Sequence, residues 1–281
     1  MYFGSKSLDL SNPHVMGILN VTPDSFSDGG ELLASGKPVM DKVIDRAASM
    51  VAAGAAFLDV GGESTRPGAA AISAQEEMDR VLPVVSALNQ RFDVVVSVDT
   101  SNAALMAAAA ETGAGLINDV RALMQPGALE AARASGLPVC LMHMQGNPST
   151  MQSAPSYCNV IAEVRGFLEQ RIKACVAAGI VSSRLLIDPG FGFGKNLQHN
   201  LALLARLAEL QAVGLPILVG LSRKRMLGTL TGKSEKQREA AGIAAAVLAM
   251  QNGAVIIRTH DVDSMGDAVK VWGAVHAAKN V

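Results

Sequence analysis

Short apolar runs recur eight times along the chain, each succeeded by a stretch with helical spacing, and this alternation constrains the fold more than any other feature. The runs are residues 15–19, 57–60, 94–98, 115–117, 138–142, 185–187, 217–219 and 255–257. Each holds a few mostly β-branched or aliphatic side chains, as suits strands buried on both faces. Helices are predicted between and after them, over 39–53, 75–90, 102–111, 127–135, 159–178, 201–213, 237–252 and 265–279. In the second of these, Met78, Val81, Leu82, Val85 and Leu88 share one stripe, while Glu76, Asp79, Arg80 and Asn89 face away. Gly54, Gly113, Gly136, Gly179, Gly214 and Gly253 close several helices, where glycine adopts the left-handed cap conformation without steric cost.

Eight strand–helix units without a linker or a break in composition predict one domain over residues 1–281, an α/β fold closed as a single (β/α)8 TIM barrel. Periodicity alone does not show closure, so a doubly wound open sheet is the alternative. The 49% hydrophobic and 17% charged composition suits a large buried parallel sheet. The net charge of −1 points to no nucleic-acid or membrane-surface partner. No basic region leading into an apolar one opens the chain. The apolar stretch 240–250 is broken by Gly242 and shorter than a membrane span, so a soluble, cytoplasmic protein is expected. Cys140, Cys158 and Cys175 are odd in number and lack CxxC spacing, which favours reduced thiols over disulfides or zinc.

The residues at the ends of the strands carry the functional reading. Asn20 ends the first run; Asp59 lies in the second, which leads through "GGE" into Ser64, Thr65 and Arg66. Asp99, Asn118, His143 and Asp188 end the next four, then Ser222, Arg223 and Lys224, and finally Arg258 and His260. A barrel brings all these ends to one mouth, where the βα loops build the site. Asp99 and Asn118 could each be an ordinary helix cap, but capping does not account for polar residues at essentially every strand end.

The mouth divides into two chemical sets. Asp99, Asn118 and Asp188 could read a flat heterocycle with adjacent N–H donors, of the guanine or pterin kind, or hold a hard divalent cation. Arg66, Lys224, Arg258 and His260, with the hydroxyls of Ser64, Thr65 and Ser222, suit phosphate or diphosphate. Arg223 and Arg225 read as a solvated run flanking Lys224. The segment "DPGFGFGK" is neither a P-loop nor a dinucleotide motif. Its glycines are expected to approach a ring closely, with Phe193 and Met142 as apolar walls. No nucleophile elbow or catalytic triad is suggested.

The stretches "GILNVTPDSFSDGG", "DVGGESTRPGA", "SVDT", "INDV", "LMHMQGNPSTMQ", "IDPGFGFGK", "GLSRK" and "RTHDV" resemble the dihydropteroate synthase family in order and spacing, over nearly the whole chain. That resemblance implies a barrel enzyme, usually a homodimer and a sulfonamide target. Such an enzyme joins 4-aminobenzoate to (7,8-dihydropterin-6-yl)methyl diphosphate and releases diphosphate. It also implies a pterin pocket of Asp99, Asn118, Asp188 and Lys224, walled by Met142, Phe193 and Gly220. Diphosphate contacts would come from Asn20, Thr65, Arg66, Arg258 and His260, with Asn20 ligating Mg2+. Ser222, Lys224, Thr65, Pro67 and Phe26 would receive 4-aminobenzoate. Asp99, Arg66, Lys224, Arg258 and His260 carry the catalytic expectation, and the loops 22–31 and 61–72 are expected to close over the site. Asp28 reads as a turn residue, with ordering of Mg2+ or the amine as the alternative, and Glu63 as a partner in a structural salt bridge or a helix-dipole contact. A corrinoid-dependent methyltransferase would share the acids and amide but not the cations, and a binder without turnover would not need both long loop motifs.

Overall fold

The computed structural model describes residues 1–22, 32–64, 72–147 and 150–278 of the chain. Two short antiparallel strands, β1 (Tyr2–Phe3) and β2 (Lys6–Ser7), open it. Then come β3 (His14–Asn20), a second small hairpin of β4 (Leu33–Ala34) and β5 (Lys37–Pro38), helix α1 (Met40–Ala52) and β6 (Ala55–Gly61). The alternation continues through α2 (Ala74–Arg91), β7 (Val95–Asp99), α3 (Ala103–Thr112), β8 (Leu116–Asp119), α4 (Ala128–Ser135), β9 (Val139–Met142) and α5 (Val160–Ala177). It ends with β10 (Leu185–Asp188), α6 (Leu197–Ala205), β11 (Ile217–Gly220), α7 (Arg225–Thr231), α8 (Glu239–Gln251), β12 (Ala254–Thr259) and α9 (Val262–Ala278). Eight of the strands pair in parallel and close in the order β10-β11-β12-β3-β6-β7-β8-β9, so the open-sheet alternative is ruled out.

Alternation along these strands separates two cores. Met16, Phe57, Val95, Leu116, Cys140, Leu186, Leu218 and Ile256 point inward and fill the lower barrel. Phe3 joins them from the first hairpin, its ring edge-on to Phe57 at 5.0 Å, and so plugs the bottom. The intervening residues, such as Leu58, Val60, Val96, Val98, Ile187 and Val219, face the helices in the larger outer core. One step above the apolar plug the inward positions turn polar. Register sets Asn20 beside Gly61, Gly61 beside Asp99, Asp99 beside Asn118, Asp188 beside Met142 and Gly220 beside Arg258.

Four of the helices begin on side-chain caps of their own. Ser73, Asn102, Asn159 and Asn196 each accept a backbone N–H in the first turn of α2, α3, α5 and α6. Asp99 and Asn118 are therefore spared for the barrel mouth. The six glycines expected to end helices all have positive φ. Beyond shifts of a few residues at element ends, two helices differ from the sequence reading. The helix expected over 201–213 is α6 from Leu197, continued by a 3-10 segment, Leu207–Val213. Asn196 and His199 form a capping box that starts the helix early, and buried Leu207 and Leu210, three apart, match the tighter winding. Helix α7 was not expected, because its two threonines and internal Gly228 have weak helix propensity.

Candidate active site at the barrel mouth

A cavity of about 500 Å³ opens at the C-terminal ends of the strands, within the range of small-molecule pockets. Asn20, Ser64, Asp99, Phe193, Gly220, Ser222, Lys224, Arg258 and His260 line it, as do Arg225 and, with no role expected of them individually, Met151, Gln152 and Arg238. Asn118, Asp188 and Met142 stand behind this lining and are almost fully buried. Thr65, Arg66, Pro67, Phe26 and Asp28 lie outside the described residues.

Arg258 organises the centre. From β12 it reaches across β3 to β6 and β7, where Nε donates to Asp59 Oδ2 at 2.5 Å and an Nη donates to Asp99 Oδ2 at 2.9 Å. Asn118 Nδ2 donates to the same Asp59 oxygen at 3.2 Å, while Asp59 Oδ1 is buried without a hydrogen-bond partner among the described residues. Asn118 thereby turns its amide nitrogen and one of its two N–H donors to Asp59, which leaves its carbonyl oxygen as an acceptor on the other side. Asp59 is wholly buried and was not among the predicted site residues. The signal was present, since a carboxylate inside the apolar run "FLDV" demands a partner. That its partners stand on β8 and β12 could only be read from the closed barrel.

Burial sets the electrostatics of the acids. It raises the Asp99 carboxyl to about 7; Asp59, Asp119 and Glu77 push the same way, against Arg258. Burial also raises Asp188 to about 6, opposed by the Gly190 N–H at 2.7 Å and by the charges of Lys224, Lys195 and Arg258. Burial works against the Arg258 charge, but Asp59 and Asp99 more than offset it and hold the guanidinium protonated.

On the opposite wall the Lys224 ammonium lies 4.3 Å from the Phe193 ring centroid, a cation–π contact. Phe193 packs with Met142, Met151 and Val120 as the apolar side. Ser222 Oγ meets His260 Nδ1 at 3.1 Å, tying the loop after β11 to the end of β12. Arg223 departs from the expected solvated run: it is half-buried, has φ of 59° and pairs with Asp261 at 2.5 Å. Both side chains border the cavity, but Arg223 is held by Asp261 while Lys224 lies over Phe193. Arg225 is exposed at the rim.

The glycines of "DPGFGFGK" also act differently from expectation. A Cβ on Gly190 would stand 1.9 Å from the His143 carbonyl oxygen, and one on Gly194 would stand 2.4 Å from that of Gln145. Close approach there is to the neighbouring loop rather than to a ring; only Gly192 faces the cavity, beside Lys224. Glu63 pairs with Arg121 at 3.0 Å, the structural role expected of it. Among the described residues no group of three or more His, Cys, Asp or Glu side chains could hold a metal. Asn20 instead offers one amide oxygen on the cavity wall.

Fold and mouth define the class: an eight-stranded α/β barrel with acids, an amide and cations gathered over one cavity. The pterin binding enzyme family model matches residues 16–260. Dihydropteroate synthase of Escherichia coli K12 is 56% identical over 99% of this chain and 97% of its own length. That of Haemophilus influenzae is 50% identical over 98% of each. Among solved structures, a Yersinia pestis dihydropteroate synthase in complex with a sulfonamide drug superposes with a TM-score of 0.95, 54% identity and 99% of each chain covered. A Xanthomonas albilineans dihydropteroate synthase with 4-aminobenzoic acid gives 0.88 and 50%, over 96% of this chain and 95% of that one. The chain belongs to the pterin binding enzyme family, among the dihydropteroate synthases.

Proposed function

We propose that this chain condenses 4-aminobenzoate with (7,8-dihydropterin-6-yl)methyl diphosphate to give 7,8-dihydropteroate and diphosphate. The observation that carries the reading is that one cavity joins the acid-and-amide set around Arg258 to the cationic set around Lys224 and His260. The relatives' names and the 4-aminobenzoic acid held by the Xanthomonas structure support the same substrates.

Asp188, fixed by the Gly190 N–H, accepts the adjacent N–H donors of the pterin edge, and Asn118 accepts a further ring N–H through its free carbonyl oxygen. Met142 and Phe193 hold the ring faces. Arg258 and His260, joined by Arg66 and Thr65, stabilise charge on the departing diphosphate. The methylene C–O bond breaks first, and Asp99 and Asp188 stabilise the cation left on the ring. The arylamine, placed by Ser222, Lys224, Pro67 and Phe26, then attacks. No protein nucleophile is required, in keeping with Cys140, whose thiol is buried and pushed far up by that burial. Closure of the loops 22–31 and 61–72 would exclude water.

Asn20 suits Mg2+ as a single hard oxygen ligand, because this ion commonly takes its remaining ligands from phosphate and water. Bound there, it would neutralise diphosphate charge. We further infer one cytoplasmic domain working as a homodimer. The exposed apolar side chains of Leu248 on α8 and of Val271 and Val275 on α9 support the dimer.

Mixing the protein with both substrates and Mg2+ is expected to release diphosphate only when 4-aminobenzoate is present in stoichiometric supply. Absence of release would overturn the reading, and methyl transfer to a corrinoid would replace it. Positional isotope exchange in labelled diphosphate without the amine is expected if C–O cleavage comes first; a strict need for the amine before any exchange would refute that order.

A further inference from the structure

Lys195 is a cation buried at 2% exposure, and among the described residues no carboxylate accepts a hydrogen bond from it. Its ammonium spends three donors on neutral acceptors: His143 Nδ1 at 2.9 Å, the Gly190 carbonyl at 2.9 Å and the Phe193 carbonyl at 3.1 Å. Burying an ammonium without a paired carboxylate is costly, and burial lowers Lys195 to about 7, so its charge is fully present only below neutral pH, where Asp188 titrates. The three acceptors belong to two loops that press together. Residues 189–195 succeed β10, and the segment beginning at His143 succeeds β9. The His143 N–H also donates to the Asp188 carbonyl at 2.9 Å, and Tyr157 Oη donates to the Gly194 carbonyl at 2.8 Å. At the two ends of the stapled loop stand Asp188, whose Oδ1 accepts the Gly190 N–H, and Phe193, which walls the cavity.

We propose that Lys195 is a positioning residue for the cavity: its ammonium staples the Gly190–Phe193 loop to His143 and adds, beside Lys224 and Arg258, positive charge that favours Asp188 as an ionised acceptor for ligand N–H groups. The inference rests on the reading of Asp188 as the acceptor for the pterin edge.

The surrounding charges agree. Asp188 is faced by Lys195 from its own loop, by Lys224 from the loop after β11 and by Arg258 from β12, with the Cys140 thiol nearby on β9. Lys195 itself is faced by His143, Asp188 and Lys224, with Tyr157 and His199 stacked edge-on by Gly194. An ammonium donating to Nδ1 requires a neutral imidazole carrying its proton on Nε2. His143 meets that need, because burial and the adjacent ammonium lower it to about 3.

The test compares Lys195→Gln, which keeps amide donors but removes the charge, with Lys195→Arg, which keeps the charge. Each is assayed for pterin diphosphate KM, kcat and the acid limb of kcat/KM. The wild-type protein must first turn over, which separates this test from failure of the proposed function. For K195Q a KM rise of about tenfold is expected, with the acid limb moved up by about one pH unit; K195R should keep the wild-type limb. Should K195Q not fold, His143→Gln removes the imidazole acceptor while keeping the charge, and is expected to raise KM with the limb unmoved. A folded K195Q with wild-type KM and limb overturns the proposal, and so does H143Q with wild-type KM.

Discussion

Asp59 lies within an apolar strand, yet two side chains from distant strands depend on it. Its Oδ2 accepts from both Arg258 and Asn118, so it sets the direction of the guanidinium and the face of the amide together. A hydrogen bond to a charged group contributes about 1.5–3 kcal/mol. Asp59→Asn should therefore lower kcat/KM by roughly ten- to hundredfold, since each 1.4 kcal/mol is about a factor of ten. Steady-state kinetics check this, with unchanged kcat/KM removing Asp59 from the site. His143 gives a prediction of opposite character. Its folded-state value near 3 lies below the ordinary 6.5, so the unfolded chain binds the extra proton between those values. Stability is thus lost as pH falls through that window. Asp99 and Asp188, raised to about 7 and about 6, have the opposite sign, because the folded state holds their protons and stability falls as pH rises above 3.8. The net slope is a sum of these, so the informative quantity is a difference. Urea unfolding at pH 5 and pH 7 should show a smaller acid loss for His143→Gln than for the wild type. Equal losses would refute the buried, neutral imidazole.

At the scale of elements, the loop after β10 shows how backbone geometry serves the site. Gly190 has φ of 69° and no room for a Cβ, because the His143 carbonyl oxygen would be 1.9 Å away. Gly36 has φ of 77° in the β4–β5 turn but meets nothing within 4 Å. Gly36→Ala should cost about 1 kcal/mol, the ordinary penalty for the left-handed region. Gly190→Ala should cost at least about 2–3 kcal/mol, because two backbones must also separate. Thermal melting of the two variants distinguishes these, and equal shifts would disprove close loop packing. The caps show the same division between local and distant causes. Asn102, rather than Asp99, starts α3, which leaves the carboxylate at the end of β7 for Arg258. That assignment depends on a three-residue difference in position that propensity does not resolve.

For the whole molecule, the barrel separates stability from chemistry along its axis. Phe3 and Phe57 close the bottom, while the polar ring from Asn20 to Arg258 occupies the top. Phe3→Ala should lower stability by about 3–5 kcal/mol, the usual loss for a buried phenylalanine, and leave kcat within about twofold. Denaturant unfolding and kinetics on the same sample check both halves, and a large kcat loss would show that the plug and mouth are coupled. All eight barrel strands and the main helices were legible in the chain, because a strand buried on both faces must be apolar throughout and a helix on its surface must be striped. The polar strand ends were legible for the same reason: Asp99, Asn118 and Asp188 interrupt runs that would otherwise be apolar. Closure, however, is the pairing of the last barrel strand, β12, with the first, β3, and no local pattern encodes it. The pairing of Arg258 with Asp59 and Asp99, 199 and 159 residues away, belongs to the same order of information, as does the buried contact of Lys195 with His143. The amino-acid order alone determined which segments are strands, which are helices and which residues carry polar chemistry, since those depend on neighbours a few positions apart. Only the tertiary structure decided which of those polar groups meet, which are buried and how their charges shift, because those depend on distances that exist once the sheet has closed.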